Sequence, residues 1–251
     1  MNEDPRRRIE IDGAYNVRDI GGYETADGRT TRWQTFLRAD NVSTLPQHSQ
    51  NMLTSSIGVR TVIDLRRQVE IDGQPDNVLG RSPHVEYHNV DIVGDMVFDQ
   101  IESTEPRHTI HASYRNMLDR RGRKFGEALR VMAQPGALPA MYHCMGGQDR
   151  TGLISALLLG LVGVPKETIA ADYTLTAEYR IFAYLGPNPE IPNADPADYT
   201  PGAYRARNCP PEVMLDTLEY LDDRHGGIEA FARSTGVTDE DIAALRAALV
   251  E

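Results

Sequence analysis

The segment from residue 137 to residue 163 constrains the fold more than any other part of this chain. It opens with a short apolar run of strand length, ALPAMYH, and closes with TGLISALLLGLVG, which is long enough for a buried helix. Between them lies a glycine-containing loop in which Cys144 and Arg150 are separated by five residues. A strand that leads through such a loop straight into a helix is typical of α/β proteins.

Other runs of the sequence repeat this alternation of strand and helix. Three runs have strand character, and they are Thr35–Asp40, Val59–Leu65 and Val85–Val90. Three runs have helical spacing, and they are Leu45–Ile57, Thr109–Met132 and Lys166–Thr174. The sequence therefore predicts an α/β fold with a central, mostly parallel sheet flanked by helices. In such sheets, ligands bind where strands end and helices begin.

The length of 251 residues fits one large domain, and we predict a single domain over residues 1–251. Residues 177–211 include a stretch crowded with proline, asparagine and aspartate. This stretch is too long for a simple connection between elements, so it is predicted to form a lid or a loop insertion.

Charge and hydropathy exclude two classes of partner. The net charge of -11 argues against nucleic acid, because phosphate backbones require a basic protein face. No apolar run reaches the length of a membrane span, and the N-terminus has no apolar signal region. We therefore expect no stable membrane insertion and a cytoplasmic location, with leaderless secretion left open. The histidines show no metal-ligand spacing, so no metal is predicted.

The loop after residue 143 has the chemistry of an anion site. Gly146 and Gly147 allow the backbone to curl so that successive N–H groups point inward. The helix that begins near Arg150 adds free N–H groups and a partial positive charge. The arginine itself can hold two phosphate oxygens with its planar fork. The loop residues Met145, Gly146, Gly147, Gln148 and Thr151 are therefore predicted to bind a phosphoryl group.

Cys144 lies where it could attack that phosphoryl group. The positive surroundings favour its thiolate, which is a nucleophile aimed at phosphorus and would form a phosphocysteine that water then hydrolyses. Thr151 could donate a hydrogen bond to the sulfur. The alternative for an isolated cysteine at a strand end is an inert buried thiol. The sequence favours a phosphatase that acts on a phosphorylated protein or a small phosphomonoester and needs no cofactor.

Several motifs resemble one family. HCMGGQDRTG is similar to the HCxxGxxRTG signature of protein tyrosine phosphatases. The runs NVRDIGGY, ADGR, LRAD and DLR, which begin at residues 16, 26, 37 and 64, resemble those of the bacterial and fungal members of that family. The resemblance covers the chain from Asn16 to the final helix. It implies a tyrosine-phosphatase-like α/β fold and hydrolysis of phosphotyrosine, and for some members also of phosphoserine, phosphothreonine or phosphoinositides.

One residue departs from the pattern of the family. Gln148 stands where that family usually has a lysine, which is tied to the use of phosphoinositides. The substitution argues against a phosphoinositide phosphatase, which is one alternative function. A non-catalytic phosphate-binding scaffold is another alternative, and the intact Cys144, Arg150 and Thr151 argue against it.

The leaving group of a phosphate ester needs a proton, and the sequence offers two sources. Asp149 lies inside the loop, at a position similar to that of an aspartate proposed as the acid of myotubularin-type lipid phosphatases. Asp91 and Asp95 follow the Val85–Val90 strand and could swing into the site. We favour Asp149, with a structural role as its alternative.

Four further side chains are predicted to have structural roles or leave such a role open. Arg18 and Asp19 are expected to form an ion pair beneath the site. Arg66 either binds a second anionic group or pairs with a carboxylate. The sequence is compatible both with a free Cys209 and with a disulfide between Cys209 and Cys144.

Overall fold

A five-stranded sheet lies at the centre of the computed structural model, which describes residues 4–74, 77–95, 106–185 and 200–251. Its strands are β1 (Arg18–Asp19), β2 (Phe36–Ala39), β3 (Thr61–Asp64), β4 (Glu86–Asn89) and β5 (Ala140–His143). Their order across the sheet is β1-β2-β5-β3-β4. All pairs are parallel except β1 with β2, so the predicted mostly parallel sheet is confirmed.

Helices flank this sheet. The first half of the chain contributes α1 (Gln47–Asn51), a π-helical stretch (Met52–Ile57), α2 (Gln68–Asp72) and α3 (Pro106–Ala133). The middle contributes α4 (Asp149–Leu161), α5 (Lys166–Thr174), α6 (Thr176–Arg180) and α7 (Phe182–Leu185). The last part contributes α8 (Pro201–Asn208), α9 (Pro211–His225), α10 (Ile228–Ser234) and α11 (Asp239–Leu249). Among these described helices, none is both long enough and apolar enough to cross a membrane.

The strand β5 and the helix α4 form the middle of the core, as their apolar composition predicts. β5 lies between β2 and β3, and all four of its residues are buried. Successive side chains of a strand point to opposite faces. Accordingly, Ala140 and Tyr142 pack in the larger apolar cluster together with α4, whereas Met141 packs in the smaller cluster on the other face. Burial on both faces fixes the end of β5, and with it the start of the loop that follows.

The other predicted elements are found close to their expected places, with two local differences. Residues 52–57 form π-helical rather than α-helical turns before Gly58, which ends them with a φ of 82°. The predicted helical run Thr109–Met132 lies within α3, which has a kink at Arg121. Within the predicted lid, residues 186–199 lie outside the described residues, and the described parts on either side are the helices α6, α7 and α8.

A buried ion cluster connects the start of the sheet to α5. Asp172 accepts a hydrogen bond from Arg18 Nε at 3.1 Å and another from Arg38 Nη1 at 2.5 Å, and all three side chains are buried. The expected ion pair between Arg18 and Asp19 is therefore wrong. The two residues are neighbours on β1 and point to opposite faces, so Asp19 instead accepts from the backbone of Gly21 and Gln34.

We predict that this cluster contributes strongly to stability. Asp172→Asn leaves two buried guanidinium groups without their shared carboxylate, and the free energy of unfolding should fall by about 3–5 kcal/mol. Urea unfolding of the variant measures this change. The matched control is Asp222→Asn, because Asp222 pairs with Lys166 on the surface and its loss should cost less than about 1 kcal/mol. Equal losses in the two variants would contradict the prediction.

Candidate active site

Backbone carbonyls of the loop that joins β5 to α4 are held on the outer side of the loop by donors from other parts of the fold. Asn16 Nδ2 donates to the carbonyl of Gly146 at 2.9 Å and to that of Gly147 at 3.1 Å. Arg38 Nη2 donates to the Gly147 carbonyl at 2.8 Å. In a trans peptide the N–H group points opposite to the C=O group of the same unit. The N–H groups of Gly147 and Gln148 therefore point to the inner side of the loop.

The same arrangement continues toward the cysteine. The backbone N–H of Asn41 donates to the carbonyl of Met145 at 3.0 Å, so the N–H of Gly146 also points inward. Three successive inward N–H groups followed by a helix N-terminus form an arrangement suited to binding an anion. The structure thus has the backbone curl that the two glycines predict.

Gly147 is the residue that permits this curl. Its φ is +63°, a left-handed conformation that residues with a side chain rarely adopt. A Cβ atom at this position would lie 2.6 Å from the backbone oxygen of Ala39. The close approach of the loop to the end of β2 therefore requires glycine here.

Cys144 is the first residue of the loop, immediately after β5. It is 2% exposed, and its sulfur accepts a hydrogen bond from Thr151 Oγ1 at 3.2 Å. Thr151 belongs to the first turn of α4, where the helix dipole contributes a partial positive charge. A negative sulfur at this position is therefore stabilised from the side of the helix.

Arg150 is oriented by a carboxylate that the sequence analysis did not identify. Its Nη1 and Nη2 donate to the two oxygens of Glu70 at 2.7 Å and 2.9 Å, and Nη1 also donates to the carbonyl of Leu65 at 3.3 Å. These bonds use both N–H groups of Nη1 and one N–H group of Nη2. The opposite edge, with the Nε–H and the second Nη2–H, has the spacing to hold two oxygens of a phosphoryl group.

The pair of Arg150 and Glu70 is ionised. Burial opposes charge on the arginine, but the nearby sulfur of Cys144 and the Glu70 carboxylate raise the pKa of Arg150 above its usual value. Burial likewise opposes charge on Glu70, but its hydrogen bonds with Arg150 lower the pKa of the carboxyl to about 2. The guanidinium therefore keeps both its charge and its orientation at neutral pH.

Asp149 faces a cavity of about 460 Å³ next to the loop. Arg150, Glu70 and the apolar side chain of Val93 also line this cavity. The Asp149 carboxylate accepts a hydrogen bond at Oδ1 from the hydroxyl of Tyr114 on α3, at 2.6 Å. A carboxyl group that borders both the cavity and the arginine is placed to exchange a proton with a molecule bound there.

The other two acid candidates have different surroundings. Oδ1 of Asp91 accepts from the backbone N–H groups of Val93 and Gly94 at 2.9 Å and 2.6 Å, which closes a turn after β4. Asp95 is exposed. The geometry of Asp91 is that of a residue that shapes the loop, because its side chain bonds its own local backbone.

Gln148 connects the loop to α8. Its side-chain oxygen accepts from the hydroxyl of Tyr204 at 3.0 Å, and its side-chain nitrogen donates to the carbonyl of Asn208 at 2.8 Å. The same nitrogen lies 3.3 Å from Asp149 Oδ1. The residue that stands in place of the expected lysine therefore holds the helix that follows residues 186–199.

The two cysteines are both free and both buried. Burial raises the pKa of Cys209, at the end of α8, to about 12, so this thiol is protonated at neutral pH. The structure holds no disulfide between Cys209 and Cys144.

Arg66 and His143 support the end of β3 and the start of the loop. Arg66 is fully buried and donates to Asp64 through Nε and Nη2, so its second expected role, pairing with a carboxylate, is the one observed. His143 Nδ1 lies 3.3 Å from the carbonyl of Cys144, and Nε2 lies 3.6 Å from Asp64 Oδ2. Burial lowers the pKa of His143, which favours the neutral ring.

Sequence reasoning missed four residues that shape this site: Asn16, Arg38, Glu70 and Tyr114. Asn16 and Arg38 lie inside two of the motif runs, so their positions were singled out but their contacts with the loop were not. Glu70 follows the DLR run, and its only local signal is a place in the first turn of α2. Tyr114 lies within a long helix whose sequence gives no sign of a polar partner.

Comparison with known proteins places these motifs in one family. The model of the "Tyrosine phosphatase family" matches residues 9–251 of this chain. A tyrosine-protein phosphatase of Nostoc commune is 30% identical over 225 residues, which cover 85% of this chain and 74% of that protein. The triple specificity protein phosphatase PtpB of Mycobacterium tuberculosis is 23% identical over 284 aligned positions, which cover 96% of this chain and 98% of that protein.

The pairing of Glu70 with Arg150 predicts how anion binding responds to a substitution. Glu70→Gln replaces one acceptor oxygen by an N–H donor, so the fork of Arg150 loses its fixed orientation. The dissociation constant for inorganic vanadate should rise by about tenfold, as expected for the loss of one charge-assisted hydrogen bond. Titration with vanadate measures the change, and Glu229→Gln, at a surface pair with Arg246, is the matched control. An unchanged affinity in Glu70→Gln would contradict this assignment.

Proposed function

Since this chain belongs to the tyrosine phosphatase family, as its motifs predicted, we propose that it hydrolyses phosphotyrosine through a phosphocysteine on Cys144. The observation that carries this proposal is the series of inward N–H groups that follows the buried sulfur of Cys144, together with Arg150, which Glu70 orients and whose charge interacts with that sulfur. Such a series of N–H groups fits a tetrahedral dianion and places phosphorus next to the nucleophile.

The first step transfers the phosphoryl group to the protein. The Cys144 thiolate forms a bond to phosphorus while the bond from phosphorus to the tyrosine oxygen breaks. Asp149 gives its proton to the departing oxygen, so the products are phosphocysteine, tyrosine and the Asp149 carboxylate. The loop N–H groups and Arg150 stabilise the charge that spreads over the three equatorial oxygens.

The second step returns the protein to its starting state. A water molecule attacks the phosphocysteine and gives its proton to the Asp149 carboxylate. The bond from sulfur to phosphorus breaks, and inorganic phosphate and the thiolate are released. The hydroxyl of Thr151, 3.2 Å from the sulfur, stabilises the thiolate as it departs.

We propose a phosphorylated protein or a small phosphomonoester as the substrate, in the cytoplasm, where reducing conditions keep the thiol free. One relative is named a triple specificity protein phosphatase, which extends the proposal to phosphoserine and phosphothreonine. Phosphoinositides are disfavoured, because Gln148 is neutral and its side chain bonds α8.

Substitution of the nucleophile tests the proposal. Cys144→Ser should lower the hydrolysis of p-nitrophenyl phosphate to the background rate, because a serine hydroxyl is not ionised at neutral pH. Cys209→Ala removes the other buried thiol and should retain activity. Release of p-nitrophenolate measures both variants. Activity that persists in Cys144→Ser would overturn the assignment.

Comparison of two aspartates tests the proposed acid. Asp149→Asn should slow the hydrolysis of alkyl phosphates by about 10²-fold or more, because an alkoxide needs a proton as it leaves. Asp91→Asn should have little effect on the same rate. Steady-state kinetics with alkyl and p-nitrophenyl phosphates separates the two. A larger loss in Asp91→Asn would assign the acid to that residue instead.

A further inference from the structure

We infer that Tyr114 is a positioning residue for the reaction: it holds Asp149 so that the proton for the leaving group lies on one defined oxygen. This inference rests on the proposed role of Asp149 as the acid. Tyr114 comes from α3, which none of the sequence motifs marks, and its side chain reaches the start of α4 across the core.

The direction of the hydrogen bonds follows from the number of protons available. A tyrosine hydroxyl has one proton to donate and can also accept. The hydroxyl of Tyr114 donates a hydrogen bond to Asp149 Oδ1 at 2.6 Å. The hydroxyls of Tyr114 and Tyr173 are 2.8 Å apart, so Tyr173 must be the donor between them. The series of hydrogen bonds therefore runs from Tyr173 as first donor, through Tyr114, to Asp149 as acceptor.

This series of hydrogen bonds distinguishes the two oxygens of the Asp149 carboxyl group. The side-chain nitrogen of Gln148 also points at Oδ1, at 3.3 Å, so two donors address the same oxygen. An oxygen that accepts from donors is disfavoured as the site of the carboxyl proton. Protonation of Asp149 is therefore directed to Oδ2. A general acid whose proton has a fixed place needs no reorientation when the leaving group departs.

The hydroxyl of Tyr114 can be removed by substitution without removing the ring that packs in the core. The rings of Tyr114 and Tyr173 form a T-shaped pair with centroids 6.3 Å apart, a contact that phenylalanine also makes. Both rings are 1% exposed. Burial raises the pKa of Tyr114 well above its ordinary value, so the hydroxyl remains a donor at neutral pH. Tyr114→Phe therefore removes the donor to Asp149 and keeps the ring in the core.

The test measures how the rate depends on the leaving group. In Tyr114→Phe, kcat/KM for an alkyl phosphate should fall by about tenfold, the effect of one hydrogen bond to a charged group. Its kcat/KM for p-nitrophenyl phosphate should change little, because this constant reports only the steps up to the phosphocysteine and p-nitrophenolate leaves without a proton. KM for the alkyl phosphate should stay the same, because phosphoryl transfer limits its rate. Loss of packing alone would lower the rate for both substrates alike.

The control is a second buried tyrosine. Tyr142 bonds Ser155 through its hydroxyl at 2.8 Å, and Tyr142→Phe should leave the ratio of the two rates unchanged. The double variant Tyr114→Phe, Asp149→Asn should be no slower on alkyl phosphates than Asp149→Asn, because Tyr114 acts through that carboxyl group.

Three results would overturn the inference, and they differ in what else they affect. If the loss in rate depends on the leaving group in Asp149→Asn but not in Tyr114→Phe, Asp149 is the acid and Tyr114 does not position it. If the loss in rate depends on the leaving group in neither variant, the acid assignment fails together with the inference. Additive losses in the double variant would also contradict it, since they would show that Tyr114 acts by another route.

Discussion

One buried carboxylate organises the side of the loop that faces away from the proposed phosphoryl site. Asp172 binds Arg18 and Arg38 at the same time. Arg18 donates to the side-chain oxygen of Asn16, which fixes the direction of that amide, so its nitrogen faces the loop carbonyls. Arg38 donates to the Gly147 carbonyl directly. Because each carbonyl is held outward, each following N–H is held inward, so the proposed anion site is organised before a ligand binds.

A second ion pair prepares the guanidinium in the same way. Glu70 binds the end of the Arg150 guanidinium, which leaves the Nε and Nη2 edge for the proposed substrate. Both pairs are largely removed from water, where their hydrogen bonds are strong and their geometry is fixed. The site therefore has its positive groups oriented in advance, and little reorganisation is needed when charge develops on the transferred phosphoryl group.

The parts of this site that are local in sequence could be predicted, and the parts that join distant residues could not. The strand, the glycine loop and the helix around Cys144 follow from apolar runs and turn residues within 30 positions of the chain. The partners of Arg150 and Asp149 lie 80 and 35 residues away, on elements whose approach depends on the whole fold. Arg18 and Asp19 show the converse error, because adjacent residues of a strand were expected to meet.

The most direct measurement is a crystal structure of the wild-type protein soaked with vanadate. We predict vanadium bonded to the sulfur of Cys144, with its oxygens within hydrogen-bond distance of the N–H groups of Gly146, Gly147 and Gln148. Two of those oxygens should also meet the Nε and Nη2 edge of Arg150. Vanadate bound elsewhere, or a sulfur turned away from an empty loop, would contradict the account.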